Sequence, residues 1–230
     1  MTDSTAAAVP LFSRPALARC LPFLIYMAFI AIAELLTWLG VTPADQRWLY
    51  AIKIGCVVAA LAYFWRDYDE LYKWDLKATA LIGAIAAGIV VLVLWLSLGA
   101  GWMTVGTAAG YDPSTNGRID WALVAVRIAG AALVVPVMEE LFWRSFLLRW
   151  LDNSRFRQVD PGAVSLKAIA ISSVLFGVEH NLWLAGIVAG LAYALLYRWH
   201  RSLWSPIAAH AVTNGLLGGY VVMTGSWQYW

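Results

Sequence analysis

Four long apolar runs constrain this chain more than any other feature. Leu21–Leu39, Trp48–Trp65, Ala78–Met103 and Ile119–Met138 each reach the roughly 20 residues a helix needs to cross the hydrocarbon of a bilayer. Ala168–Glu179 and Leu182–Trp199 are shorter and almost abut, and Leu203–Met223 is again long enough. The pattern predicts an all-α fold, a polytopic transmembrane helical bundle of about seven to eight membrane helices. With no internal repeat, low-complexity tract or soluble segment between the runs, residues 1–230 read as a single integral membrane domain.

The residue balance makes lipid the expected solvent. The chain is 62% hydrophobic and 13% charged, against about 45–50% and 25% in soluble domains. Its 14 Trp suit the membrane–water interface, where the ring lies among headgroups and the N–H meets water. A net charge of +2, with the basic residues scattered between apolar runs, excludes a nucleic-acid surface, and no nucleic-acid partner is expected. Cys20 and Cys56 fall at or inside apolar segments and read as buried free thiols rather than a disulfide or metal cluster.

Loop charge sets the expected orientation, since cytoplasmic loops accumulate Lys and Arg. Arg14 and Arg19, then Arg66, Lys73 and Lys77, then Arg149, Arg155, Arg157 and Lys167, then Arg198 and Arg201 all fall on one side, while the alternate loops hold only Arg47 and Arg118. The N-terminus is therefore expected in the cytoplasm and the C-terminus outside, as an odd number of spans requires. Met1–Val9 carries no Lys or Arg, and no small-residue cleavage site follows the first run, so that run reads as a retained helix. Thr104–Asp120, rich in turn formers, is expected as an outer surface connection.

Ionisable groups at membrane depth are costly and persist where they pair or face a cavity, so the polar interruptions of the spans are informative. In Glu139-Glu140-Leu141-Phe142-Trp143-Arg144 the i,i+4 spacing lets Glu140 pair with Arg144. Glu139 then points about 100° away, free to face a cavity and act as a general base toward water. Phe176 and His180 stand one turn apart, as do His210 and Asn214, the latter two able to donate to one point as an oxyanion site requires. Each group has a plainer reading: a snorkelling helix end for the first, a structural histidine for the second, a helix–helix hydrogen bond for the third. Together they are more specific, because three helices bring a base, a second base or orienter, and two donors. Glu34, Lys53 and Arg127 form a second polar set, read as an ion pair or snorkelling network, with a substrate gate as the alternative.

The three motifs, Glu-Glu-x-x-x-Arg at Glu139–Arg144, Phe-x-x-x-His at Phe176–His180 and His-x-x-x-Asn at His210–Asn214, resemble in that order the CPBP family of intramembrane proteases, which includes the Ras-converting CAAX endoprotease. The resemblance covers about Val124 to Tyr220. A finer likeness, through His180–Gly190 and the Trp227-Gln228-Tyr229-Trp230 ending, is to the CAAX-protease-related proteins associated with bacterial exosortase systems. It implies an intramembrane endopeptidase of the bacterial cytoplasmic membrane acting on a membrane-associated protein or peptide. Glu139 with His180 would activate water, His210 with Asn214 would stabilise the oxyanion, and Glu140, Arg144 and Phe176 would support the site.

No cofactor is expected, although two His and a Glu can bind zinc with an open position, which makes Glu139, His180 and His210 the alternative metal set. The rival function is a non-catalytic membrane scaffold or immunity-type protein that uses the polar set for partner binding. A small transporter is a third reading, weakened by the absence of paired inverted repeats. One tension stands: counted at 1.5 Å per residue from the cytoplasmic ends, His180 lies deeper than His210 by roughly 10 Å in straight helices. Tilt or a broken helix has to close that gap.

Overall fold

In the computed structural model, residues 13–106 and 110–230 are described; the expectation drawn from Met1–Val9 lies outside them. Seven helices run through these residues: α1 Arg14–Trp38, α2 Leu49–Tyr63, α3 Ala78–Ser97, α4 Trp121–Trp150, α5 Leu166–Val178, α6 Trp183–His200 and α7 Trp204–Thr224. Sheet is confined to a hairpin pairing Ser114–Thr115 with Arg118–Ile119. Its turn residues Asn116 and Gly117 both have positive φ, 52° and 74°, as a tight two-residue hairpin turn requires.

Local chemistry sets the helix ends. The Asp120 side chain accepts from the amides of Ala122 and Leu123 at 2.9 and 3.2 Å to start α4, and Ser165 accepts from Ala168 at 3.0 Å to start α5, each satisfying amides that a helix leaves without partners. Gly225, at φ 67°, ends α7 in the left-handed region.

Of the seven, α1, α3 and α4 are long and apolar enough to cross a membrane by themselves, and α2 and α5 are shorter apolar helices of 15 and 13 residues. Their outer faces carry exposed apolar side chains such as Ile82, Leu133, Val178 and Met223, the outward greasiness of a protein surrounded by lipid. The two cysteines are free, but they are not both buried: Cys20 is half-buried and Cys56 lies exposed on α2. In a lipid-facing helix a thiol needs no shelter in the protein interior.

The connections richest in Lys and Arg gather at one end of the bundle. There Arg14 pairs with Asp67 at 3.1 Å, Arg19 with Glu70 at 2.6 Å, Arg157 with Asp69, and the indole N–H of Trp204 donates to the Lys73 carbonyl at 3.1 Å. At the other end Asn181 donates to the Val105 carbonyl at 2.9 Å, Trp183 to the Trp102 carbonyl at 3.2 Å, and the Tyr111 amide to the Trp227 carbonyl at 3.2 Å.

The fourth helix departs from expectation. It continues past Met138 to Trp150 and contains two widened π-helical stretches, Gly130–Val134 and Leu141–Leu147. The Glu139–Arg144 segment is thus no snorkelling helix end: Glu140 is 0% and Arg144 2% exposed, and their mutual pairing lets the helix carry both charges inside the protein.

Close packing around α4 depends on small residues. A Cβ on Gly88 of α3 would stand 2.4 Å from the Ala209 carbonyl oxygen of α7, and one on Gly177 of α5 would stand 2.6 Å from the Trp183 carbonyl oxygen of α6. Both pairs of helices approach backbone to backbone, as small residues allow within membranes.

Candidate active site

The site forms where the widened α4 meets the short α5 and the first half of α7. Glu140 is its anchor. One carboxylate oxygen lies 2.9 Å from His210 Nδ1 and the other 3.1 Å from Arg144 Nε, so a fully buried carboxylate is shared by an imidazole and a guanidinium. Arg144 also donates from Nη2 to the Gly190 carbonyl at 3.2 Å and lies over the Phe176 and Tyr193 rings at 4.7 and 5.4 Å. These contacts offset part of the cost of burying the ion pair; among the described residues Arg144 Nη1 and Glu140 Oε2 have no hydrogen-bond partner.

Glu140 also orients His210. Because an ionised carboxylate only accepts, Nδ1 carries a proton, leaving Nε2 as the ring nitrogen available to the cavity. The imidazole lies flat on Tyr193, with centroids 4.9 Å apart and planes 19° from parallel. Tyr193 is itself fixed by donating to Thr213 Oγ1 at 2.9 Å, and Thr213 donates onward to the Gly88 and Ala209 carbonyls.

His180 sits just beyond the end of α5, its Nδ1 2.7 Å from the Phe176 carbonyl oxygen. A carbonyl cannot donate, so this Nδ1 also holds a proton and Nε2 presents its lone pair. That bond holds the imidazole back against Phe176, and His180 and His210 line one cavity despite the depth difference expected from straight helices. The Phe176 ring then stands between the two imidazoles, 4.9 Å from His180 and 6.2 Å from His210, while Trp95 meets His180 edge-on at 5.3 Å.

Glu139, His180, His210 and Asn214 all line one cavity of about 190 Å³, with Phe176 in its wall, room for several waters. Glu140 and Arg144 stand behind that wall. Glu139 is 7% exposed, and its Oε2 is buried without a hydrogen-bond partner among the described residues. Asn214 donates from Nδ2 to the Ala131 carbonyl at 2.9 Å. Ala131 lies in the first π-helical stretch of α4, where the altered bonding register leaves a carbonyl accessible to a side chain. One N–H of the Asn214 amide remains after that bond.

Some cavity residues were not foreseen from sequence. Tyr193, Thr213, Trp95 and Tyr26 line it, and the available signal was a hydroxyl or indole standing alone in an apolar span. Glu179, whose side chain is 14% exposed, has a carboxylate oxygen 4.0 Å from His180 Nδ1. The zinc alternative does not fit: Glu139, His180 and His210 share the cavity, but among the described residues no three His, Cys, Asp or Glu side chains converge closely enough to hold one ion.

In the second polar set the ion-pair reading is corrected. Among the described residues Lys53 and Arg127 pair with no carboxylate. Lys53 Nζ lies 3.9 Å from the Tyr26 ring centroid and Arg127 4.2 Å from that of Tyr50. Aromatic faces hold these cations where charge pairing was expected.

Residues 121–216 match the family model for Rce1-like type II CAAX prenyl endopeptidases. This segment is Rce1-like. It contains all three motifs and covers a little under half of the chain. No curated protein and no solved structure gives a significant match. The Rce1-like segment thus supplies Glu139, Glu140, Arg144, His180, His210 and Asn214, while α1, α2 and α3 supply further wall through Tyr26, Tyr50 and Trp95.

Proposed function

We propose that this protein is an intramembrane endopeptidase that cuts a membrane-associated protein or peptide with a water activated by Glu139 and His180. The carrying observation is that three helices of the Rce1-like segment bring Glu139, His180, His210 and Asn214 to one cavity. Glu139 lines the cavity with a carboxylate that can accept a proton from water, and His180 offers the Nε2 lone pair. Two such acceptors can take and return the proton that attack on a peptide carbonyl requires.

The tetrahedral intermediate places a negative charge on the former carbonyl oxygen. Asn214 donates its remaining N–H to that oxygen, and His210, oriented by Glu140, is the second donor when its Nε2 carries a proton. Glu140 and Arg144 hold this donor in place, and Phe176 spaces the two imidazoles. The resemblance puts the protein in the bacterial cytoplasmic membrane, and the basic-loop count puts its N-terminus in the cytoplasm.

The test compares membrane proteomes, with C-termini mapped, between cells carrying the wild-type protein and cells carrying Glu139→Gln at equal abundance. A protein that accumulates uncut only with the variant is the expected result and names a substrate. Indistinguishable proteomes would remove the peptidase reading and leave a scaffold that binds a partner through the same polar set.

A further inference from the structure

A second cavity adjoins the catalytic one. Tyr50, Arg127 and Trp230 stand in the walls of both. The second is bounded by the outer half of α1, the start of α2 and the loop at Gly110–Tyr111, and it holds Lys53 as well as Arg127.

Its two cations are unusual in what they lack. Among the described residues no carboxylate pairs with either, and Arg127 Nε is buried without a hydrogen-bond partner. Aromatic faces hold them instead: Lys53 over Tyr26 at 3.9 Å and Tyr50 at 5.0 Å, Arg127 over Tyr50 at 4.2 Å and Tyr111 at 5.1 Å. Stacking on a ring satisfies part of a cation's charge but none of its N–H donors, which stay available to an acceptor. The one acid on this wall, Glu34, is exposed and pairs with neither cation.

Two cations a few residues' reach from a peptide-cutting centre, with donors unspent, form a receptor for an anion on the substrate. We infer that Lys53 and Arg127 bind a carboxylate of the peptide, either its chain end or an acidic side chain, and so fix which bond enters the catalytic cavity. This assignment rests on the peptidase reading for its purpose but not for its test.

The full-length protein carrying Glu139→Ala is titrated in neutral detergent micelles with fluorescent peptides of alanine and leucine in three forms: a free C-terminal carboxylate, a C-terminal amide, and that amide with one internal glutamate. At least one anionic peptide is expected to bind about tenfold more tightly than the neutral amide, the effect of one charge-assisted hydrogen bond. Which of the two does so identifies chain end or side chain. Lys53→Gln with Arg127→Gln abolishes the preference, whereas Lys53→Arg keeps it. Should the double substitution unfold the protein, each single substitution is expected to reduce the preference.

Equal affinities for all three peptides would overturn the inference, as would a preference that survives the substitutions. So would loss of the preference on adding phosphatidylglycerol, which would make a lipid headgroup the occupant. Uncut peptides with the wild-type protein would instead count against peptidase activity and leave the binding result intact.

Discussion

Among the described residues, the charge cluster at the basic end of the bundle and the one at the cavity are built differently. At the basic end of the bundle Arg19, 1% exposed, bonds to Glu70, to Ser145 at 2.8 Å and to the Pro15 carbonyl at 3.0 Å. Nearby Arg149 donates to the Val159 and Arg157 carbonyls at 3.0 and 2.9 Å. The cavity cluster is less well tied: among the described residues Glu140 Oε2, Arg144 Nη1 and Glu139 Oε2 are buried without a hydrogen-bond partner, and Nε2 of His180 and one N–H of Asn214 remain uncommitted. The contrast teaches how burial divides its uses: a saturated cluster fastens α1 to α4, whereas a partly saturated one facing a cavity keeps proton acceptors and donors available for chemistry.

The largest test of that contrast is Glu139→Gln. Losing one general base should lower turnover of the identified substrate by about 10³-fold, while the unfolding temperature in detergent stays the same or rises. A variant that keeps wild-type turnover would erase the distinction. Arg19→Ala should do the opposite: breaking a buried pair costs about 3 kcal/mol of stability, visible as a lower unfolding temperature, with turnover per folded molecule unchanged.

Asn214→Ala sharpens the cavity side. Removing one oxyanion donor should lower kcat by about 100-fold, with little change in KM; an effect confined to KM would make Asn214 a substrate-binding residue instead. The smallest effect belongs to Asp69, outside the spans. Burial alone would raise its carboxyl, yet the hydrogen bonds from Arg157 and its own backbone amide and the nearby charges of Arg157 and Arg19 hold it below the usual carboxylate range. Its contribution to stability is therefore present above the ordinary carboxylate range and lost as pH falls through the depressed value. Unfolding temperatures of the wild type and Asp69→Asn should differ slightly at neutral pH and converge in acid, and salt should shrink the difference because the group is half-exposed.

Much of this was legible in the sequence because the controlling effects are local. Apolar run length placed each helix within a few residues at most ends, and the i,i+4 spacing of Glu140 and Arg144 foretold their ion pair at 3.1 Å. The run ending at Met138 misled at α4. Hydropathy reads Glu139, Glu140 and Arg144 as a boundary, whereas their burial depends on His210 and Gly190, partners that lie far along the chain. Lys53 and Arg127 misled similarly, since the rings that hold them come from α1, α2 and the outer loop.

The sequence by itself determined the helical class, the lipid setting and the three motifs, because helix formation, hydrophobicity and one-turn spacing are properties of neighbouring residues. Only the tertiary structure decided that His180 and His210 line one cavity, that Tyr193 supports the latter, and that Glu139 Oε2 has no hydrogen-bond partner among the described residues. Those outcomes rest on elements that lie far apart along the chain, and on backbone contact at Gly88 and Gly177 that no local pattern specifies.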